Sequence, residues 1–133
     1  MEQQLLLKPG IEGRQSCIVT NDKTAESLKS GTLPVLATPA LAALMEETCY
    51  KSVEQFLEEG CTTVGSHLDL HHVKPTGIGS KVDCKSVLET VDGRHLVFAI
   101  TAHDEAGEIG KASHERYIIN TEKFLAKISQ KNN

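Results

Sequence analysis

Aromatic residues make up only 4% of this 133-residue chain, and tryptophan is absent. Few side chains are therefore available to stack the bases of a single strand. No sign of charge dominates either: the net charge is -4 with acids and bases interspersed, which leaves no basic stripe for a phosphate backbone. Nucleic acid is not an expected partner. Runs of about 18 apolar residues, the length needed to cross a bilayer, are missing, and Met1-Glu2-Gln3-Gln4-Leu5-Leu6-Leu7-Lys8 lacks the basic start and longer apolar core of a signal peptide. The expectation is a cytoplasmic protein with no membrane partner. Cysteine is sparse and unpaired in pattern: Cys17, Cys49, Cys61 and Cys84 form no Cys-x-x-Cys, which argues against zinc, redox and disulfide frameworks and for buried thiols.

What is present suffices for one domain spanning residues 1–133, with 39% hydrophobic residues to build its core. Ser16-Cys17-Ile18-Val19-Thr20 reads as a short strand ended by Asn21-Asp22, and Lys23 to Pro34 reads as a loop rich in Ser, Gly, Thr and Pro. Thr38 then fits a helix N-cap, Pro39 the first helical position and Gly60 the far end, so the best helix runs from Thr38 to about Glu59. At roughly 100° per residue Leu41, Ala42, Met45, Cys49, Val53 and Phe56 form one apolar stripe. Glu47 and Glu54 fall opposite it, and Glu46 falls on its border. The period then changes to alternation, with strands expected over Thr62 to Val73, Lys81 to Val91, His95 to Asp104 and Gly110 to Thr121. Asp92-Gly93 and Glu105-Ala106-Gly107 are turn signals that make the last three strands antiparallel hairpins. One long helix over a mostly antiparallel sheet is an α+β fold.

Side chains alternate across a strand, so His67, Asp69 and His71 share one face while Leu68, Leu70 and His72 share the other. Residues two apart rise about 6.6 Å, which makes His67 and His71 a poor clamp for one ion, and no second His/Cys cluster completes a site. No metal is expected there; the face reads as solvated or interfacial. His72 instead points toward the helix, where it could meet Glu46, although a lone histidine on an apolar face is most often a core group hydrogen-bonded to backbone. Thr38 and Glu46 likewise have plain structural readings, as a helix cap and a half-exposed border carboxylate. Only the three together argue for chemistry.

Ala37-Thr38 followed eight residues on by Glu46, then Gly65 followed seven residues on by His72, resembles the fluoroacetyl-CoA thioesterase family of hot-dog proteins. Val91-Asp92-Gly93-Arg94, Ala102-His103-Asp104, Glu108-Ile109-Gly110, His114-Glu115-Arg116 and Glu122-Lys123-Phe124 are similar to that family's last strands and tail, extending the match from about residue 33 to the C-terminus. The resemblance implies a hot-dog fold, a long central helix wrapped by an antiparallel sheet, in a homodimer with active sites at its interface. It further implies an acyl-CoA thioesterase with Thr38, Glu46 and His72 as catalytic triad, Gly65 as a backbone position that orients the reacting group, and Arg116 as a supporting arginine. A hydroxyl or amide at the helix start suits an oxyanion, a carboxylate suits nucleophilic or base catalysis, and a histidine suits activation of water. Coenzyme A is part of the substrate, and no cofactor is implied.

Fluoroacetyl-specific members carry aromatic gating residues before the threonine, whereas here Ser30-Gly31-Thr32-Leu33-Pro34-Val35 has none. The expected substrate is therefore a different, small acyl-CoA. Lys74, Lys81 and Lys123 are candidates for the coenzyme A phosphates. The competing readings are a hot-dog acyl-CoA hydratase or dehydratase and a non-catalytic acyl-CoA-binding or regulatory module.

Overall fold

Residues 6–131 are described by a computed structural model in which the alternating C-terminal half becomes one antiparallel sheet and the helix from Thr38 lies on its inner face. Five strands, β1 (Glu12–Ile18), β2 (Cys61–His72), β3 (Lys81–Asp92), β4 (His95–Asp104) and β5 (Gly107–Asn120), are ordered β1-β3-β4-β5-β2. Among the described residues three α-helices accompany them: α1 (Ala25–Leu28), α2 (Thr38–Val53) and α3 (Thr121–Lys131). This is the α+β hot-dog arrangement, with an open sheet whose edges are β1 and β2.

The hairpins form where the turn signals lie. Gly93 adopts φ 60° between β3 and β4, and Gly107 adopts φ 129° where Asp104 Oδ1 accepts from the Ala106 amide at 2.8 Å. In β4, Leu96, Phe98, Ile100 and Ala102 point inward, and they meet Leu41, Met45, Cys49 and Val53 of α2 in a single core. Each large apolar side chain so buried contributes about 1.5–3 kcal/mol. Leu44 and Thr48 join the buried stripe, which shifts it away from Ala42.

Four local expectations change. The first strand is Glu12–Ile18 rather than 16–20, a polar edge strand whose Gly13 lets α2 come close: a Cβ there would stand 2.6 Å from the Thr48 carbonyl oxygen. The 23–34 loop contains α1, capped by the Thr24 hydroxyl, which accepts from the Ser27 amide at 3.3 Å. The main helix ends at Val53 and loosens into a 3-10 turn over Glu54–Phe56, leaving Gly60 (φ 85°) to turn the chain into β2. Thr121 begins α3, where Asn120 Oδ1 accepts from the Lys123 amide at 3.0 Å.

No helix among the described residues is long and apolar enough to cross a membrane. Part of the Met1 to Lys8 segment lies outside those residues. The cysteines are free thiols, with Cys49 and Cys84 buried and Cys17 and Cys61 half-buried. Burial pushes the Cys84 thiol up to about 11 and that of Cys49 higher still.

Candidate active site

Thr38 does not cap α2. Ala37 is the N-cap residue, Thr38 and Pro39 occupy the first helical positions, and the N-cap side chain bonds no first-turn amide. The Thr38 hydroxyl turns outward to His72, with Oγ1 2.8 Å from Nδ1. Helix geometry leaves the first-turn amides without intrahelical acceptors, and the first ladder bond runs from the Leu41 amide to the Ala37 carbonyl at 3.0 Å. An oxygen bound here would meet a hydroxyl and the positive end of the macrodipole.

His72 closes β2 on the helix-facing side, and burial holds its ring below the ordinary imidazole value. Its Nε2 is buried without a hydrogen-bond partner of standard geometry among the described residues, although the Lys74 backbone lies near enough to offset that shift in part. If the Thr38 hydroxyl donates to Nδ1, Nε2 carries the ring proton; if it accepts, its own proton is free for a ligand. Only the second arrangement presents a donor, the Thr38 hydroxyl proton, to the neighbouring cavity, because Nε2 is buried. That cavity, of about 270 Å³, is bounded by Thr38 and His72 together with Ala25, Val35, Leu36 and Lys74, and no Phe, Tyr or Trp reaches it. A larger cleft of about 480 Å³ beside Cys17, Leu28, Leu44 and Tyr50 contains none of Thr38, Glu46 and His72.

Glu46 stands apart from this pair. Eight residues further along α2 corresponds to about 12 Å of helix axis, and no hydrogen bond or ion pair joins Glu46 to His72 among the described residues. The contact that strand alternation suggested within one chain is therefore not made. Glu46 Oε2 instead lies 4.0 Å from both Arg116 Nη1 and His114 Nε2, with its side chain 44% exposed. Gly65 completes the group: a Cβ there would come within 3.0 Å of Glu46 Oε2 and 3.2 Å of Arg116 Nη1.

A β-bulge brings Gly65 to that side. Gly65 pairs with Arg116 and His67 with Glu115, so Ser66 is an extra residue that reverses the parity of the strand. Thr63 and Gly65 thereby share the inner face with Leu68, Leu70 and His72. Arg116 is anchored by Nε to Thr63 Oγ1 at 2.8 Å and Nη2 to the Thr63 carbonyl at 2.9 Å. Burial lowers its pKa and the Glu46 charge opposes that shift. Sequence reasoning passed over Thr63 and His114; His114 carried a signal, a polar side chain on an inward register position of β5, whereas the bulge that turns Thr63 inward leaves none.

On the outer face, His67, Asp69 and His71 are exposed as alternation required, with His67 Nδ1 3.4 Å from Glu115 Oε2 and His71 Nε2 3.2 Å from Asp69 Oδ1. Among the described residues no group of three or more His, Cys, Asp and Glu is placed to hold a metal. Of the three lysines considered, only Lys74 borders the Thr38–His72 cavity; Lys81 pairs with Asp83 at 3.7 Å, and Lys123 lines a separate cavity with Arg94 and Lys127.

Residues 19–122 match the family model described as FlK, fluoroacetyl-CoA-specific thioesterase. The fluoroacetyl-CoA thioesterase of Streptantibioticus cattleyicolor is 38% identical over 97 residues, covering 73% of this chain and 70% of the relative. Among solved structures, a threonine-to-serine variant of FlK in complex with acetyl-CoA superposes with a TM-score of 0.90 at 31% identity, covering 96% of this chain and all of that one (100%). A hot-dog-like protein from Thermanaerovibrio acidaminovorans superposes equally well, with a TM-score of 0.90 over 100% of this chain and 98% of its own, and its 20% identity speaks for the fold alone.

Proposed function

Since the chain belongs to the fluoroacetyl-CoA-specific thioesterase family and is a thioester hydrolase, we propose that it converts a small acyl-CoA and water to the free acid and coenzyme A through Thr38, Glu46 and His72. The observation that carries this reading is the Thr38–His72 hydrogen bond of 2.8 Å beside a cavity of about 270 Å³, at the start of a helix. The thioester carbonyl oxygen faces the Thr38 hydroxyl and the first-turn amides as it gains charge. Lys74 is the basic residue best placed for a coenzyme A phosphate. No cofactor is needed beyond water. The absence of aromatic side chains from the cavity favours a small acyl group held without fluoroacetyl discrimination.

The separation of Glu46 from His72 makes a second chain part of the site. β2 is a long strand with one edge unpaired, and such edges are commonly covered. Two copies pairing β2 antiparallel about a two-fold axis near Leu68 and Asp69 set His72 of one chain opposite Gly65 of the other. In that arrangement the homodimer has two sites, each combining Thr38 and His72 from one protomer with Glu46, Gly65 and Arg116 from its partner.

In such a site Glu46 has two routes. As a base it takes a proton from water, the new hydroxide adds to the carbonyl, and collapse expels the coenzyme A thiolate, which is protonated by way of His72. As a nucleophile it displaces the thiolate itself, and water activated by His72 then cleaves the acyl-glutamate anhydride. Rapid-quench mass spectrometry separates them, because only the second adds an acyl mass to the chain. Thiol release across acetyl-, fluoroacetyl-, propionyl- and long-chain acyl-CoA tests the reading as a whole. Hydrolysis should favour the short chains, and Glu46→Gln should lower turnover by about 100-fold or more with folding intact. Absence of thiol release, or an unchanged rate in Glu46→Gln, contradicts it.

A further inference from the structure

Arg116 and Glu46 carry opposite charges 4.0 Å apart, beyond hydrogen-bond reach, even though Glu46 is 44% exposed and has room to move. A guanidinium and a carboxylate this close ordinarily shut to 2.7–2.9 Å. Something holds them apart. Arg116 Nη1 spends a donor elsewhere, 3.1 Å from His114 Nε2. His114 is only 1% exposed, and its other nitrogen, Nδ1, lies 2.7 Å from the His67 carbonyl oxygen. A carbonyl only accepts, so Nδ1 carries the proton; a guanidinium only donates, so Nε2 must offer a lone pair. Both bonds therefore require one tautomer of a neutral ring. Burial, with the Arg116 charge a smaller cause, holds the ring below the ordinary imidazole range, consistent with that neutral form.

We propose that His114 is a positioning residue for thioester hydrolysis: by accepting from Arg116 it keeps the guanidinium off Glu46 and leaves that carboxylate free to react. The inference rests on the reading of Glu46 as the reacting carboxylate. Its basis is a chain of fixed groups, running from the His67 carbonyl at the β2 bulge through His114 and Arg116 to Thr63, which returns to the same strand. Phe98 packs on the His114 ring, 6.3 Å between centroids, and Tyr50 lies under the guanidinium at 5.7 Å. Without the imidazole acceptor, Nη1 loses the tether that fixes it beside His114, both of its N–H groups are unspent in a buried site, and the nearest anion is Glu46. A movement of about 1 Å makes the charge-assisted bond. A carboxylate bonded in that way is a poorer base and nucleophile. The charged or titratable groups around His114 are Arg116 on its own strand, Glu46 on α2 and His67 on β2.

His114→Phe keeps a buried ring but loses both nitrogens, whereas His114→Gln keeps an amide that can accept from Arg116. The Phe variant should lose about 10- to 100-fold in kcat with KM within about twofold, and the acid limb of its pH–rate profile should move to lower pH. The Gln variant should recover most of the rate and the original limb. Nitrogen-15 NMR of the unmodified protein should show His114 predominantly neutral and protonated on Nδ1 at pH 6.5, where a free imidazole is half charged, a readout that needs no variant to fold. A Phe variant with ordinary kcat and an unmoved acid limb overturns the proposal, as does an Nε2-protonated or charged His114, or a Gln variant as impaired as Phe. Glu46→Gln separates the two layers: an unchanged rate there refutes the reading of Glu46 itself and leaves the tautomer measurement standing.

Discussion

Gly65→Ala adds one methyl group at the point where Glu46, Arg116 and His114 converge. The new Cβ would stand 3.0 Å from Glu46 Oε2, 3.2 Å from Arg116 Nη1 and 3.2 Å from His114 Cε1. All three contacts are short by a few tenths of an ångström, so something must yield. Arg116 is held by three hydrogen bonds and His114 by two, counting the bond they share, and both are buried. Glu46 is half-exposed and has neither restraint. The carboxylate therefore moves outward by a few tenths of an ångström, and since a misplacement of about 1 Å costs a reacting group roughly 100-fold, kcat should fall by roughly 5- to 10-fold. Stability responds differently. Overpacking costs about 1–3 kcal/mol in a closed core, but the yielding group here reaches solvent, and Gly→Ala returns about 0.4–1 kcal/mol by restricting the unfolded chain. The net change should stay within about 1 kcal/mol. Thiol-release kinetics paired with urea denaturation read both quantities. A kcat within about threefold of the original at unchanged stability would refute the placement of Glu46 in the reaction, and a loss well above 1 kcal/mol would refute the claim that Glu46 is the group that gives way.

Gly13→Ala should behave in the opposite way, because its Cβ would meet the Thr48 carbonyl oxygen at 2.6 Å, Ser52 Cβ at 2.7 Å and Ser86 Oγ at 2.7 Å, all on fixed elements. A loss of about 3 kcal/mol or more in urea denaturation is expected, and a stable variant would contradict the close approach of β1 and α2. Thr38→Val keeps the shape and removes the hydroxyl; turnover should fall by about 100-fold, while Thr38→Ser should retain more activity than Val. Equal rates for Val and Thr would remove the hydroxyl from the mechanism. His72 and His114 both lie below the ordinary 6.5 when folded, because burial disfavours their charged forms. The unfolded chain takes up protons first, so their contribution to stability is complete above pH 6.5 and is lost as pH falls below it toward the folded values. Urea midpoints between pH 8 and pH 5 should drop on the acid side, less steeply in His114→Gln, and identical slopes would contradict this assignment.

Much of this was legible because periodicity reports burial. The change from helical spacing to alternation placed α2 and four strands, and the Asp92-Gly93 turn gave a hairpin its position. β1 was shifted because an edge strand of Glu12, Gly13, Arg14, Gln15 and Ser16 carries little apolar signal. The signal for α3 was overlooked: Asn120 as a cap, Glu122 in the first turn, and Phe124 and Ile128 one turn apart. Within the site, alternation set His72 on the helix side correctly, but it gave no sign that Gly65 shares that face, because a bulge at Ser66 leaves no trace in the hydrophobic pattern. Thr38 looked like a cap from its residue type, while its hydroxyl turned to a histidine 34 positions away. No local pattern separates those two uses. The distance of Glu46 from His72 was likewise out of reach, since it depends on helix and strand crossing as rigid bodies.

That distance makes the two-chain site the central claim. Glu46→Gln and His72→Asn chains, each inactive as a homodimer, can be coexpressed with different tags and the mixed dimer isolated. One of its two sites then holds an intact Thr38–His72 pair facing an intact Glu46, and thiol release should return to roughly half the turnover of the unmodified dimer. A mixed dimer as inactive as its parents would contradict a site shared between chains.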